Sequence, residues 1–377
     1  MGTADALQRL SEQLTRVELQ LMGSKRLSNP FLINLGMILR QVEKERRNAH
    51  PVTSSLPFED VKVLRKAARY ARYAAAAYLN DKKTIAAHIG GLQAEDIKAV
   101  SPANVILCPG FFVAVDQQTD DIVLCVRGPT GGAPEALSEA VAPKEPLLGG
   151  RANASLLESA RNLQESAGKL LMRLSQESPR KCVAIVGHST GGGVASLLTV
   201  LLCSEGCPFA KLMATGKVKC YSYAPPPTFE PLWALPAWVH GSTHSFVYGM
   251  DCVPRACTGS LTKLYLALKK VDELQLSAER RLAYIRGDCG LDAVLPDYMD
   301  VPQGMTGAVS SLFIVGTIIA LFPGEAGRVH CEAAAPHMMD RLLLHPDMVH
   351  DHSADAMEKA FEELGAQSGL GEGCVLS

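Results

Sequence analysis

The residues with the clearest chemistry in this chain are Gly187-His188-Ser189-Thr190-Gly191-Gly192-Gly193. They frame a serine as G-x-S-x-G, with the apolar, β-branched run 181–187 before it and the apolar stretch 194–202 after it. That pattern reads as a strand, a sharp turn and a helix. Such an elbow presents the hydroxyl at a sheet edge beside a helix N-terminus, and it needs glycine where the turning chain presses on neighbouring backbone. The chemistry it suits is nucleophilic attack on a carbonyl, with Ser189 as the nucleophile.

A serine nucleophile requires a base, and the base requires an orienting carboxylate. In a strand-elbow-helix arrangement the partners follow in the order Ser, Asp, His, at the carboxyl ends of later strands. The run Phe-Val-Tyr-Gly-Met-Asp ends in Asp251 before the turn Cys-Val-Pro-Arg, a place where aspartate also serves as a simple cap. For the base, His345, His350 and His352 all stand in the loop ahead of a helical pattern that starts near 354. Spacing favours His352 and leaves the other two open. His188, beside the nucleophile, reads as structural, because adjacent residues on an elbow point different ways.

The elements that must hold these residues fall into two blocks. Apolar periodicity predicts helices over 4–21, 29–47 and 58–80, the last alanine-rich with Tyr70, Tyr73 and Tyr78. Together they predict an all-helical N-terminal layer, residues 1–100. From 104 onward two strand-like runs surround the polar turn 116–121, and a Gly/Pro/Ala-rich loop leads to a helix over 151–176. Strands follow at 181–187, 219–227 and 243–251, with a buried helix at 194–202. Strands alternating with helices imply βαβ units and a mainly parallel sheet, an α/β domain over 101–365. Charged, helix-like sequence over 268–287 reads either as a cover for a groove or as a surface excursion. The apolar stretch 308–322, too short to span a bilayer, reads as a buried strand. A small, polar, flexible tail occupies 366–377.

With 47% hydrophobic and 20% charged residues the chain can build a sizeable core, and its net charge of −2 gives no reason to expect nucleic acid. Eleven cysteines without a C-x-x-C pair argue against a zinc ribbon or a redox pair. The N-terminus lacks the apolar core of a signal peptide, so a reducing, cytoplasmic location is expected. Cys374-Val-Leu-Ser has the C-a-a-X form that farnesyltransferase reads at a free C-terminus. One prenyl chain gives marginal, reversible binding, so peripheral membrane association through Cys374 is the expectation.

Taken together, several segments resemble the class 3 lipase family, most closely its sn-1-specific diacylglycerol lipase branch. Gly187–Gly193 is similar to the family elbow G-H-S-L-G-G/A-G, and Ser-Tyr-Ala-Pro-Pro-Pro (222–227) to its F-A-P-P-P strand end. The segment 247–255 resembles G-x-D-x-V-P-R, and 348–361 the family's D-H segment. The resemblance implies an α/β-hydrolase fold, Asp251 and His352 as partners of Ser189, and hydrolysis of glycerolipid acyl esters through an acyl-serine intermediate. It implies no metal or organic cofactor. An oxyanion hole would use the backbone N–H of Thr190 and a donor after Arg127-Gly128. There the family has Thr or Ser and this chain has Pro129, which lacks both N–H and hydroxyl. A one-residue insertion would pass the role to Thr130. The alternatives are a phospholipase A1 or carboxylesterase with the same triad, or a non-catalytic lipase-fold signalling or binding protein.

Overall fold

The structure, a computed structural model, describes residues 3–22, 30–45, 56–102, 107–207, 209–291, 295, 311–324 and 328–368. The N-terminal part opens with α1 (Thr3–Met22) and α2 (Phe31–Glu45), whose apolar stripes bury Leu10, Leu14, Val17, Leu35 and Ile38. A two-residue strand, β1 (Leu56–Pro57), precedes α3 (Val61–Ala76) and α4 (Lys82–Ile89). Each of these helices starts at an aspartate, Asp60 or Asp81, whose carboxylate accepts two first-turn N–H groups.

Strand β2 (Ile97–Ser101) leads to the hairpin β3 (Phe111–Asp116) and β4 (Asp121–Val126). Helix α5 (Gly132–Ala136), β5 (Lys144–Leu147), β6 (Gly150–Asn153) and α6 (Ala154–Glu177) follow. Next come β7 (Cys182–His188), α7 (Thr190–Cys203), α8 (Ala210–Ala214), β8 (Val218–Tyr223) and β9 (Phe229–Glu230). The rest comprises α9 (Trp238–Ser242), β10 (Thr243–Tyr248), α10 (Thr258–Asp272), α11 (Ala278–Arg286), β11 (Thr317–Pro323), β12 (Val329–Ala334) and α12 (Ala354–Ser368).

Nine strands form one sheet in the order β1-β12-β11-β10-β8-β7-β4-β3-β2. The five from β4 to β11 run parallel, and the pairs at either edge are antiparallel. Alternate side chains serve opposite faces, as the two-residue period of a strand requires. Ile122, Leu124, Val183 and Ile185 pack under α6 and α7, whereas Val123, Cys125, Ala184 and Val186 pack under α3 and α12. Burial on both faces explains why these strands read as continuous apolar runs. β5, β6 and β9 make a separate three-stranded sheet.

Two expectations need correction. The first hundred residues are not all helical: β1 and β2 close opposite edges of the main sheet, and α3 packs on its face. The apolar run 308–322 is not one strand either, and its first three residues lie outside the described ones. Gly316 takes φ 91° where a Cβ would lie 2.4 Å from the Thr243 carbonyl oxygen. That kink ends one extended segment, in which Phe313 bridges Phe229, and starts β11 in line with β10.

Candidate active site

Ser189 sits between the last residue of β7 and the first of α7, at φ 60° and ψ −133°. L-residues other than glycine rarely adopt that conformation, so the surroundings must hold it. The Ser189 N–H donates to the Tyr223 carbonyl at 2.8 Å, and its own carbonyl accepts from Gly192 and Gly193 at 2.9 and 3.2 Å. The motif glycines are needed for close approach. A Cβ on Gly187 would stand 2.2 Å from the Gly191 carbonyl oxygen, and one on Gly191 2.5 Å from that of Val126.

The structure brings Ser189, His352 and Asp251 together from three loops at the carboxyl ends of the sheet strands. His352 Nε2 lies 2.8 Å from Ser189 Oγ, and its Nδ1 lies 3.0 and 3.1 Å from the two Asp251 carboxylate oxygens. A carboxylate only accepts, so Nδ1 carries the proton and Nε2 is free to accept from the serine. All three side chains are buried. The Val253 N–H, at 2.9 Å from Oδ1, fixes the Asp251 carboxylate further. The other histidines of that loop are elsewhere: His345 accepts the Asp347 N–H, and His350 is largely exposed beside Asp351.

Two residues outside the sequence expectations for catalysis complete the arrangement. His188 Nε2 lies 2.9 Å from the main-chain carbonyl of His352, which can only accept, so Nε2 is the protonated nitrogen. Its Nδ1 therefore accepts from the Tyr78 hydroxyl at 2.7 Å, and the Tyr78 oxygen takes a hydrogen bond from the Gly128 backbone. Burial, and then the neighbouring His352, push the His188 pKa down to about 3, so it stays neutral in this role. Burial also raises the Tyr78 phenol pKa, keeping its proton. This line ties the loop after β4, the elbow and the histidine loop together. The sequence signal for His188 was its adjacency to Ser189; Tyr78 carried none beyond helical spacing. Asp351 braces the next turn by accepting the Met250 N–H at 2.8 Å, and burial raises its pKa.

Thr190 is the first residue of α7, where a backbone N–H has no acceptor within the helix. Gly128 approaches the elbow closely; a Cβ on it would lie 3.0 Å from Ser189 Cβ. Pro129 is buried, and Thr130 is exposed in the turn that follows. Cys374 lies outside the described residues.

Residues 127–260 match the family model for lipase (class 3), a span that includes Ser189 and Asp251 and stops short of His352. The chain is 23% identical to diacylglycerol lipase-beta of Mus musculus, covering 73% of this chain and 47% of that protein. It thus spans about half the length of that curated relative. A lipase from Rhizopus microsporus var. chinensis superposes with a TM-score of 0.51 at 14% identity, over 81% of this chain and 92% of that one. The native Rhizomucor miehei lipase propeptide complex gives 0.51 at 13% identity, over 80% and 83%. The architecture is the α/β-hydrolase fold of these lipases.

Proposed function

We propose that this class 3 lipase-like chain hydrolyses acyl esters of diacylglycerol-like glycerolipids through a Ser189–His352–Asp251 triad. The observation that carries the reading is the unbroken hydrogen-bond line from Ser189 Oγ through His352 to Asp251, starting at a strained elbow. In the proposed reaction His352 Nε2 takes the hydroxyl proton as Ser189 Oγ attacks the ester carbonyl, and Asp251 stabilises the imidazolium. His352 then returns the proton to the departing alcohol oxygen, leaving an acyl-serine. Water, deprotonated by the same nitrogen, releases the fatty acid. The Thr190 N–H is well placed at the helix start to bind the oxyanion, with Thr130 as the proposed second donor; each such donor is typically worth ~10²–10³ in rate. Ser189 is wholly buried, so an acyl chain reaches it only after the covering elements shift.

A fluorophosphonate should label the wild-type protein and not Ser189→Ala, and Asp251→Asn should slow labelling by about 10⁴ while the fold survives. Folded wild type that stays unlabelled sinks the proposal and leaves the binding-protein reading. Diacylglycerol, phospholipid and short-chain ester panels then separate the lipase from the phospholipase A1 and carboxylesterase alternatives. Where Val-Leu-Ser closes the chain, farnesylation of Cys374 is proposed to hold a cytoplasmic enzyme loosely at the membrane; a farnesyl mass adduct in eukaryotic cells is the readout.

A further inference from the structure

The three-stranded sheet lies at the catalytic end of the main sheet. Asn153 N–H donates to the Thr228 carbonyl at 2.9 Å, and Leu156, Thr228 and Pro226 crowd Gly193, four residues past Ser189. Two turns project from this small sheet, and both carry apolar side chains into solvent. The β5–β6 hairpin turns through Leu148 and Gly149, at φ 48° and 77°. A two-residue turn with both residues left-handed selects Asn-Gly; leucine there is strained. Leu148 is nonetheless 40% exposed, so burial does not offset that strain. After β9, the turn containing Leu232 and Trp233 leaves Trp233 83% exposed.

β6 pairs antiparallel with β9 through Arg151–Glu230 and Ala152–Phe229, so the turn before β6 and the chain leaving β9 toward Trp233 lie at the same end of this pairing. The stem is clamped, since a Cβ on Gly150 would meet the Phe229 ring and the Glu230 carbonyl at 2.5 Å. The charges below the tips pair among themselves, three cations with three carboxylates: Lys144 and Arg151 with Glu230, and Arg161 with Glu145 and Glu158. What the prow offers a partner is therefore apolar and locally neutral. A strained, exposed leucine and an exposed tryptophan at the same end of one small sheet are the kind of outlier from which function is inferred.

We propose that Leu148 and Trp233 form a docking prow that inserts into a lipid–water interface beside the active site. The choice of partner rests on the lipolytic function proposed above. Convex aliphatic and indole tips fit the boundary between headgroups and acyl chains, where tryptophan is favoured. Insertion there brings the carboxyl end of the sheet, and so Ser189, toward the surface that holds the substrate.

The test uses the full chain made in bacteria, where no prenyl group contributes, carrying Trp238→Phe so that Trp233 is its one remaining tryptophan. With phosphatidylcholine vesicles containing diacylglycerol, Trp233 emission should shift to the blue and be quenched by brominated acyl chains. Adding Leu148→Asn and Trp233→Ser to the wild-type chain should weaken vesicle partitioning about tenfold or more, from the apolar area no longer removed from water. Leu148→Asn alone should raise the Tm while weakening partitioning, because asparagine tolerates the left-handed turn. Unshifted Trp233 emission, or equal partitioning of the double variant, overturns the proposal and favours a protein partner or none. Fluorophosphonate labelling and hydrolysis of a monomeric ester report the catalytic reading separately, since the prow residues do not touch Ser189 chemistry.

Discussion

Ser189, His352 and Asp251 depend on neighbours that do no chemistry themselves. The His352 main chain is held by His188, and His188 by Tyr78, contacts that add to those of Asp251 in placing the imidazole against Ser189. Tyr78→Phe removes a donor to His188 and an acceptor for Gly128; leaving buried polar groups unmatched costs about 1–3 kcal/mol. Fluorophosphonate labelling should therefore slow about tenfold in Tyr78→Phe and ~10²-fold in His188→Phe. His188→Gln, which keeps a donor near the Nε2 position, should recover part of the rate. Unchanged labelling in His188→Phe would reduce this line to packing. The elbow was legible in the sequence because its glycines are dictated by local crowding. Spacing favoured His352 without excluding His345 or His350; of the three, the fold places His352 between Ser189 and Asp251, while His345 faces Asp347 and His350 faces Asp351.

At the scale of elements, most of the α/β part follows from local pattern. The strands at β7, β8 and β10 and the helices α6 and α7 fall close to where periodicity puts them, since burial on one or two faces is written directly into residue order. The charged stretch after Ser260 is different, because a buried cation joins its apolar contacts in tying it down. Arg281, wholly buried, donates to the carbonyls of Val271, Asp272, Leu274 and Leu276 and to Asn34 Oδ1, capping α10 and tying α11 to α2. Arg281→Met would strand those carbonyls, at a cost of about 3 kcal/mol, while filling the space. Faster amide exchange over 271–286 with β7 unchanged is the expected result; uniform exchange across both would show that the joint is not a local lock. Sequence reading saw amphipathic, charged helix there and had no means of seeing the cap.

The whole molecule carries a built-in sensitivity to acid. Burial holds His188 and His244 neutral, with pKa values lowered to about 3 and about 4 from an ordinary 6.5. Below pH 6.5 the unfolded chain binds protons that the folded chain refuses, so stability falls as pH falls. Each histidine contributes up to about 1.4 kcal/mol per pH unit until its folded value is reached. Urea unfolding at pH 7 and pH 5 should show this loss, and His244→Phe should flatten the slope by about one proton. An unaltered slope would place the acid sensitivity elsewhere. His244 packs beside Tyr221 on the neighbouring strand, so a ring is accommodated there.

The sequence by itself determined the strand-elbow-helix around Ser189, the parallel core strands and the alternation that buries them, because each depends on residues near one another in the chain. Tertiary structure decided the rest. It set which histidine meets Ser189, that Tyr78 and His188 hold it, that β1 and β2 close the sheet edges, and that the segments carrying Leu148 and Trp233 leave the small sheet at one end. The hydrogen bonds among Tyr78, His188, Ser189 and His352 join residues 110 to 164 positions apart, and β1 reaches β12 by pairing Leu56 with Ala333. Hydrogen bonds and packing of that kind have no local periodicity to announce them; they exist only once the sheet has fixed its strand order.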